Sequence, residues 1–136
     1  MALDRREFVS PRVFNACRSK GVDAITLLDD RIIAAFKRLR VKYPDIYCNN
    51  WHVGGIFKQS GFRDDVKTGA EFSQHRYGRG LDIHTSKSSL QAIYSDIVRN
   101  RHQWPEITCV EDIKITKGWI HIDCRFVPDK FLIVRG

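Results

Sequence analysis

The segment GWIHIDCRF, residues 118 to 126, constrains this chain more than any other stretch. Side chains two apart in a strand share a face, so a strand here sets Ile120, Ile122 and Cys124 on one side and Trp119, His121 and Asp123 on the other. One face suits a core; the other lines up an indole, an imidazole and a carboxylate. A strand of this kind needs a second layer to cover its apolar side.

The rest of the chain supplies that layer. SPRVFNACRSKG predicts a short helix with Ser10 as N-cap, Pro11 in the first turn and a stop at Gly21. TLLDDRIIAAFKRLRVKYP predicts a longer one, with Thr26 and Asp29 as an acidic capping box and Leu28, Ile32, Ala35, Phe36 and Leu39 at helical spacing before Pro44. A third is expected from Ser88 and Gln91 as a capping box, with Leu90, Ile93, Tyr94, Ile97 and Val98 on one face. Further strands are expected in IYCNNWHVGGIFKQSGFR, LDIHT, ITCVED and FLIVR. ITCVED and GWIHIDCRF, joined by a polar stretch ending in Lys117 and Gly118, read as antiparallel neighbours. The expected class is α+β, helices on a small, mostly antiparallel sheet. With 136 residues and no linker or repeat, the chain reads as one domain, 1–136.

Lys and Arg exceed Asp and Glu by 23 to 16, a formal charge of +7, which favours polyanions without choosing among nucleic acid, anionic membrane and cell wall. The basic residues are dispersed, and aromatic and basic residues do not interleave as in a stacking module, so no nucleic-acid partner is expected. Cys17, Cys48, Cys109 and Cys124 form no CxxC pair and sit mostly in apolar runs, as reduced, buried thiols do. MALDRREFVSPR carries charge where a signal peptide needs an apolar segment, and no run approaches a membrane span. The expectation is synthesis in the cytoplasm, as a monomer.

A second stretch, SQHRYGRGLDIH at 73 to 84, bears on chemistry. Gly78 and Gly80 permit a bend that lets His75 and Asp82 meet, with Asp82 and His84 on one face of the following strand. Two imidazoles and a carboxylate suit a divalent transition metal, above all zinc, and three protein ligands leave a fourth position open. Alone, His121 reads as an ordinary strand histidine; the first stretch makes it a candidate ligand.

SQHRYGRGLD resembles the pattern SxHxxGxAxD, with Gly80 in the alanine place, and WIHID resembles the second histidine segment of the M15 family of zinc peptidases, which share the D-Ala-D-Ala carboxypeptidase and Hedgehog-like fold. NNWHVGGIFKQSGFR is similar to the segments that precede the first motif in phage-borne members, and the likeness runs from about Leu27 to Arg125. The resemblance implies zinc on His75, Asp82 and His121; Arg63 beside the site, holding a substrate carboxylate or carbonyl; and Ser73 lining the cleft or capping the bend. Trp119 joins Arg63 and Ser73 as a candidate substrate contact. Arg63 has an alternative as an ion-pair partner of Asp64 or Asp65. His52 and His84 carry no ligand role in the pattern.

Many members place an acid three residues before the second zinc histidine, as general base toward water at the metal. Here that position is Gly118. Glu111 is the expected replacement, with Asp123 as the alternative; Asp123 also reads as a partner orienting a ligand histidine. The function expected from the resemblance is a zinc peptidase cutting a peptide bond in bacterial peptidoglycan, of carboxypeptidase or endolysin type, on a stem peptide or cross-link. It would act on the wall after release or as a virion component. A zinc-stabilised module of the same fold without catalysis is the alternative, because Gly118 removes the usual acid and fold alone does not fix activity.

Overall fold

The computed structural model describes residues 3–65 and 67–136; the expected domain of 1–136 therefore includes three residues outside the description. After a 3-10 turn at Arg5–Glu7 comes helix α1, Pro11–Ser19, entered as its sequence requires: the Ser10 hydroxyl accepts from Val13 N, and Pro11 occupies the first turn. Helix α2 spans Asp30–Lys42 and turns Ile32, Ala35, Phe36 and Leu39 inward. Its cap differs from the expected capping box. Thr26 lies in a 3-10 turn, Ala24–Leu27, its hydroxyl donating to Asp23 O, and Asp29 is itself the N-cap, accepting from Arg31 N. A single carboxylate at the cap already meets an orphan N–H and faces the positive end of the helix dipole. In α3, Leu90–Arg99, Ser89 caps by accepting from Ala92 N, while Ser88 Oγ donates to Asp45 instead of pairing with Gln91. A short fourth helix, α4 at Ile113–Thr116, was not anticipated.

Five strands, β1 (Ile46–Tyr47), β2 (Gly80–Thr85), β3 (Cys109–Glu111), β4 (Ile120–Asp123) and β5 (Leu132–Val134), form one sheet in the order β1-β2-β4-β3-β5. The pairs β1–β2, β2–β4 and β3–β4 are antiparallel; β5 runs parallel to β3, so the sheet is mixed. In IYCNNWHVGGIFKQSGFR, expected as strand interrupted at Gly54 and Gly55, only Ile46–Tyr47 is strand. Asparagine side chains replace the ladder beyond it: Asn49 donates to Val9 O and accepts from Ser60 N, and Asn50 accepts from Phe57 N.

The core lies on one face of the sheet. Leu81 and Ile83 of β2, Val110 of β3 and Ile120 and Ile122 of β4 join the buried residues of α2 and α3 in one cluster, to which Phe8 adds an edge-to-face contact with Phe36. Alternation then directs Asp82, His84, His121 and Asp123 to the opposite side, yet these polar residues are buried as well. Cys48, Cys109 and Cys124 are buried, Cys17 is half-buried, and none is paired. No helix among the described residues is long and apolar enough to cross a membrane.

Candidate metal centre

His75 sits in a 3-10 turn, Gln74–Tyr77, that begins where Ser73 Oγ accepts from His75 N and ends at Gly78, in the left-handed region at φ +68°. A Cβ on Gly78 would stand 1.9 Å from the Leu27 carbonyl oxygen, so only glycine fits there. The reversed chain enters β2, whose register sets Asp82 opposite His121 of β4. The register of β3 on β4 pairs Val110 with Ile122, and one further step brings Glu111 opposite His121. Asp82, His121 and Glu111 thus form a row across three adjacent strands, and the turn delivers His75 to one end of it.

Asp82 Oδ1 lies 3.1 Å from His75 Nε2 and 3.1 Å from His121 Nδ1. The three donor atoms lie within 4.8 Å of one another, all on buried residues. Ligand bonds of about 2.0–2.1 Å at tetrahedral angles separate neighbouring donors by roughly 3.3 Å, so this spacing fits a zinc-sized ion with modest adjustment. The distal nitrogens are also held: His75 Nδ1 is 2.9 Å from Gly61 O, and His121 Nε2 is 2.7 Å from Asp123 Oδ2. A proton on each distal nitrogen leaves the inward lone pair for a cation. Gly80 leaves room for this packing, since a Cβ there would come within 3.2 Å of His121 Cε1.

The charges balance tightly. Burial disfavours an ionised Asp82, but hydrogen bonds with His121 and His75 outweigh it and hold the carboxyl well below its usual range. Burial likewise disfavours imidazolium at His121, while bonds to Asp123 and Asp82 push its pKa up to about 9. The two carboxylates therefore favour the protonated imidazole at His121, and a divalent ion would compete with its inward proton. Asp123, fully buried, is kept ionised against burial by His121 and by Arg125, whose Nε and Nη2 grip it at 2.9 and 2.6 Å.

The expected site residues fall into place as follows. Arg63 pairs with Asp82, Nη2 to Oδ2 at 2.9 Å, and with Gln59 O through Nε; Asp64 instead binds Arg12, and Asp65 binds Thr68. Burial lowers the Arg63 pKa. A cavity of about 260 Å³ opens over the three donors, and Arg63, Phe72, Ser73, Glu111, Trp119 and Arg125 are among its walls. Ser73 therefore both caps the turn and faces the cleft. Glu111 is half-buried, with Oε1 3.8 Å from His121 Nδ1. Asp123 lies behind His121, outside the cavity wall. His84 bonds Ser60 Oγ at 2.9 Å and stacks on Phe57, and His52 stands edge-on to Trp51 with Nε2 3.9 Å from Asp4. Neither joins the cluster.

Two contributors were not singled out in the sequence. Arg125 was legible by the same period of two that groups Trp119, His121 and Asp123, carried one step further. The Gly61 carbonyl carried no signal, because a backbone acceptor leaves no mark in residue identity. No family model, curated protein or solved structure matches the chain.

Proposed function

We propose that this protein is a zinc-dependent peptidase that hydrolyses a peptide bond in bacterial cell-wall peptidoglycan, of carboxypeptidase or endolysin type, with the Hedgehog/D-Ala-D-Ala peptidase-like fold. The observation that carries the reading is the buried His75–Asp82–His121 set opening onto a cavity that also holds an accessible carboxylate and an arginine. The ordered resemblance of the SQHRYGRGLD and WIHID segments to M15 peptidases supplies the substrate class.

His75, Asp82 and His121 would hold the zinc, which when bound would supply a Lewis acid able to polarise a carbonyl and to lower the pKa of water toward neutrality. The protein's own groups supply the remainder. Glu111, facing His121 from the cavity wall, accepts a proton from water and returns it to the leaving amine. Asp123 fixes the His121 tautomer and does not reach the substrate. Arg63 holds the Asp82 carboxylate and presents its guanidinium edge to substrate oxygen. Ser73 and Trp119 line the stem peptide's path. The formal charge of +7 favours residence on an anionic wall.

A zinc-stabilised module without catalysis is the second reading, favoured by Gly118, where a side chain would meet nothing within 4 Å and yet no acid is present. One experiment separates the two. Elemental analysis should find near-stoichiometric zinc in wild type and loss in His75→Ala and His121→Ala, and wild type should digest peptidoglycan while Glu111→Gln retains zinc and loses turnover by about 10²–10⁴-fold. Zinc without digestion would establish the binding module; folded wild type that takes up no zinc would sink both.

A further inference from the structure

Arg125 remains unexplained by a purely structural role. Its Nε and Nη2 hold Asp123, and its backbone N–H adds a third bond at 3.2 Å, but its Nη1 makes no hydrogen bond among the described residues. The side chain is 31% exposed and forms part of the cavity wall, whereas the carboxylate that balances it is fully buried and shared with His121. Seen from the cavity, the arginine is a fixed positive charge whose counterion is hidden behind it. Arg63 differs. Its side chain is more deeply buried and engaged by Asp82 and the Gln59 carbonyl.

The cavity is also small. Pockets that take drug-sized ligands run about 300–1,000 Å³, and this one, about 260 Å³, suits a single terminal residue better than a chain passing through. Arg63 pairs with the carboxylate at His121 Nδ1, that of Asp82, whereas Arg125 pairs with the one at His121 Nε2, that of Asp123, so the two guanidinium groups serve opposite ring nitrogens of His121. A terminal carboxylate could reach Arg125 while the preceding carbonyl lay over the three donors.

We infer that Arg125 is the anchor for a free carboxylate of the substrate, so that the site takes the terminal residue of a peptide and removes it. This rests on the peptidase reading and narrows it to an exopeptidase. A planar guanidinium already locked by Asp123 loses little freedom on donating to a second carboxylate, which makes it a better anchor than a mobile lysine.

The test is equilibrium binding, by NMR titration of metal-free and of zinc-supplemented protein with N-acetyl-D-alanine and with its uncharged amide, N-acetyl-D-alaninamide. Wild type should prefer the carboxylate by about tenfold or more in both forms, as a charge-assisted hydrogen bond warrants. Arg125→Gln should lose the preference, Arg125→Lys should keep part of it, and the shifted resonances should include those around Glu111 and Trp119. If wild type does not distinguish the two ligands, or if Arg125→Gln binds the carboxylate as wild type does, the inference is wrong. Loss of binding to both ligands alike in Arg125→Gln would assign Arg125 to holding Asp123 only, and would equally overturn it. Because the titration needs no turnover, carboxylate preference in a protein that never digests peptidoglycan would reject the peptidase reading, and the removal of a terminal residue with it, while keeping Arg125 as a carboxylate anchor.

Discussion

Replacing Asp123 by asparagine tests how the second histidine is held. The carboxylate has no exposed surface and accepts from His121 Nε2, from Arg125 Nε and Nη2, and from Arg125 N. Asparagine has nearly the same shape, but its amide nitrogen would present two N–H groups to donors. Removing one partner of a buried ion pair costs about 3–5 kcal/mol; Arg125 is partly exposed and can rehydrate, so the lower end, about 3 kcal/mol, applies. With roughly 2.1 cal/mol/K of unfolding entropy per residue over 136 residues, that lowers Tm by about 10 °C. Loss of the partner that orients a ligand histidine should also weaken zinc binding by about 10–100-fold. Thermal melts of metal-free protein and zinc competition against a chromophoric chelator read the two effects separately. A zinc affinity within about twofold of wild type would refute the claim that Asp123 sets the His121 tautomer. If turnover fell by about 10²–10⁴-fold with zinc affinity intact, Asp123 rather than Glu111 would be the general base.

Other outcomes follow from the same geometry. Gly78→Ala must place a Cβ against the Leu27 carbonyl at positive φ and should cost at least about 2 kcal/mol in urea unfolding, whereas Gly118→Ala, with open space around it, should stay within about 0.5 kcal/mol. Asp96 is disfavoured as an anion by burial, but Lys42, Tyr43 and Asn100 outweigh this and hold its pKa at about 2 against an ordinary 3.8. A depressed carboxylate stabilises above its unfolded pKa and loses that contribution as pH falls through its folded one. Asp96 should therefore contribute about 2 kcal/mol near pH 6 that vanishes between about pH 4 and pH 2, and this dependence should be missing in Asp96→Asn. Free zinc at about 100 times its Kd should stabilise wild type by about 2.7 kcal/mol, reversed by a chelator, with no such gain in His75→Ala.

Local chemistry wrote part of this protein directly into its sequence. Ser10 followed by Pro11 starts α1, the spacing of Ile32, Ala35, Phe36 and Leu39 selects the buried face of α2, and the alternation in WIHID separates Ile120 and Ile122 from His121 and Asp123. These features depend on groups a few residues apart, whose relation is fixed by the 3.6 and 2.0 periods. Caps were less legible where several candidates adjoin, as Ser88 beside Ser89 shows: either serine can cap, and Asp45, 43 residues away, claims one of them. The extended reading of the segment after Tyr47 failed for a similar reason, since Asn49 and Asn50 bind Val9, Ser60 and Phe57 in place of a ladder.

Only tertiary structure decided the site itself. Sequence nominated His75, Asp82, His121, Glu111, Asp123 and Arg63, but left open which carboxylate faces the cavity. Register settles that: Glu111 stands opposite His121 on the wall, and Asp123 lies behind it with Arg125. Strand register and the parallel placement of β5 arise from many weak long-range contacts that share one core. Their sum is carried by no short segment, so the residue identities could name the donors while the packed sheet had to arrange them.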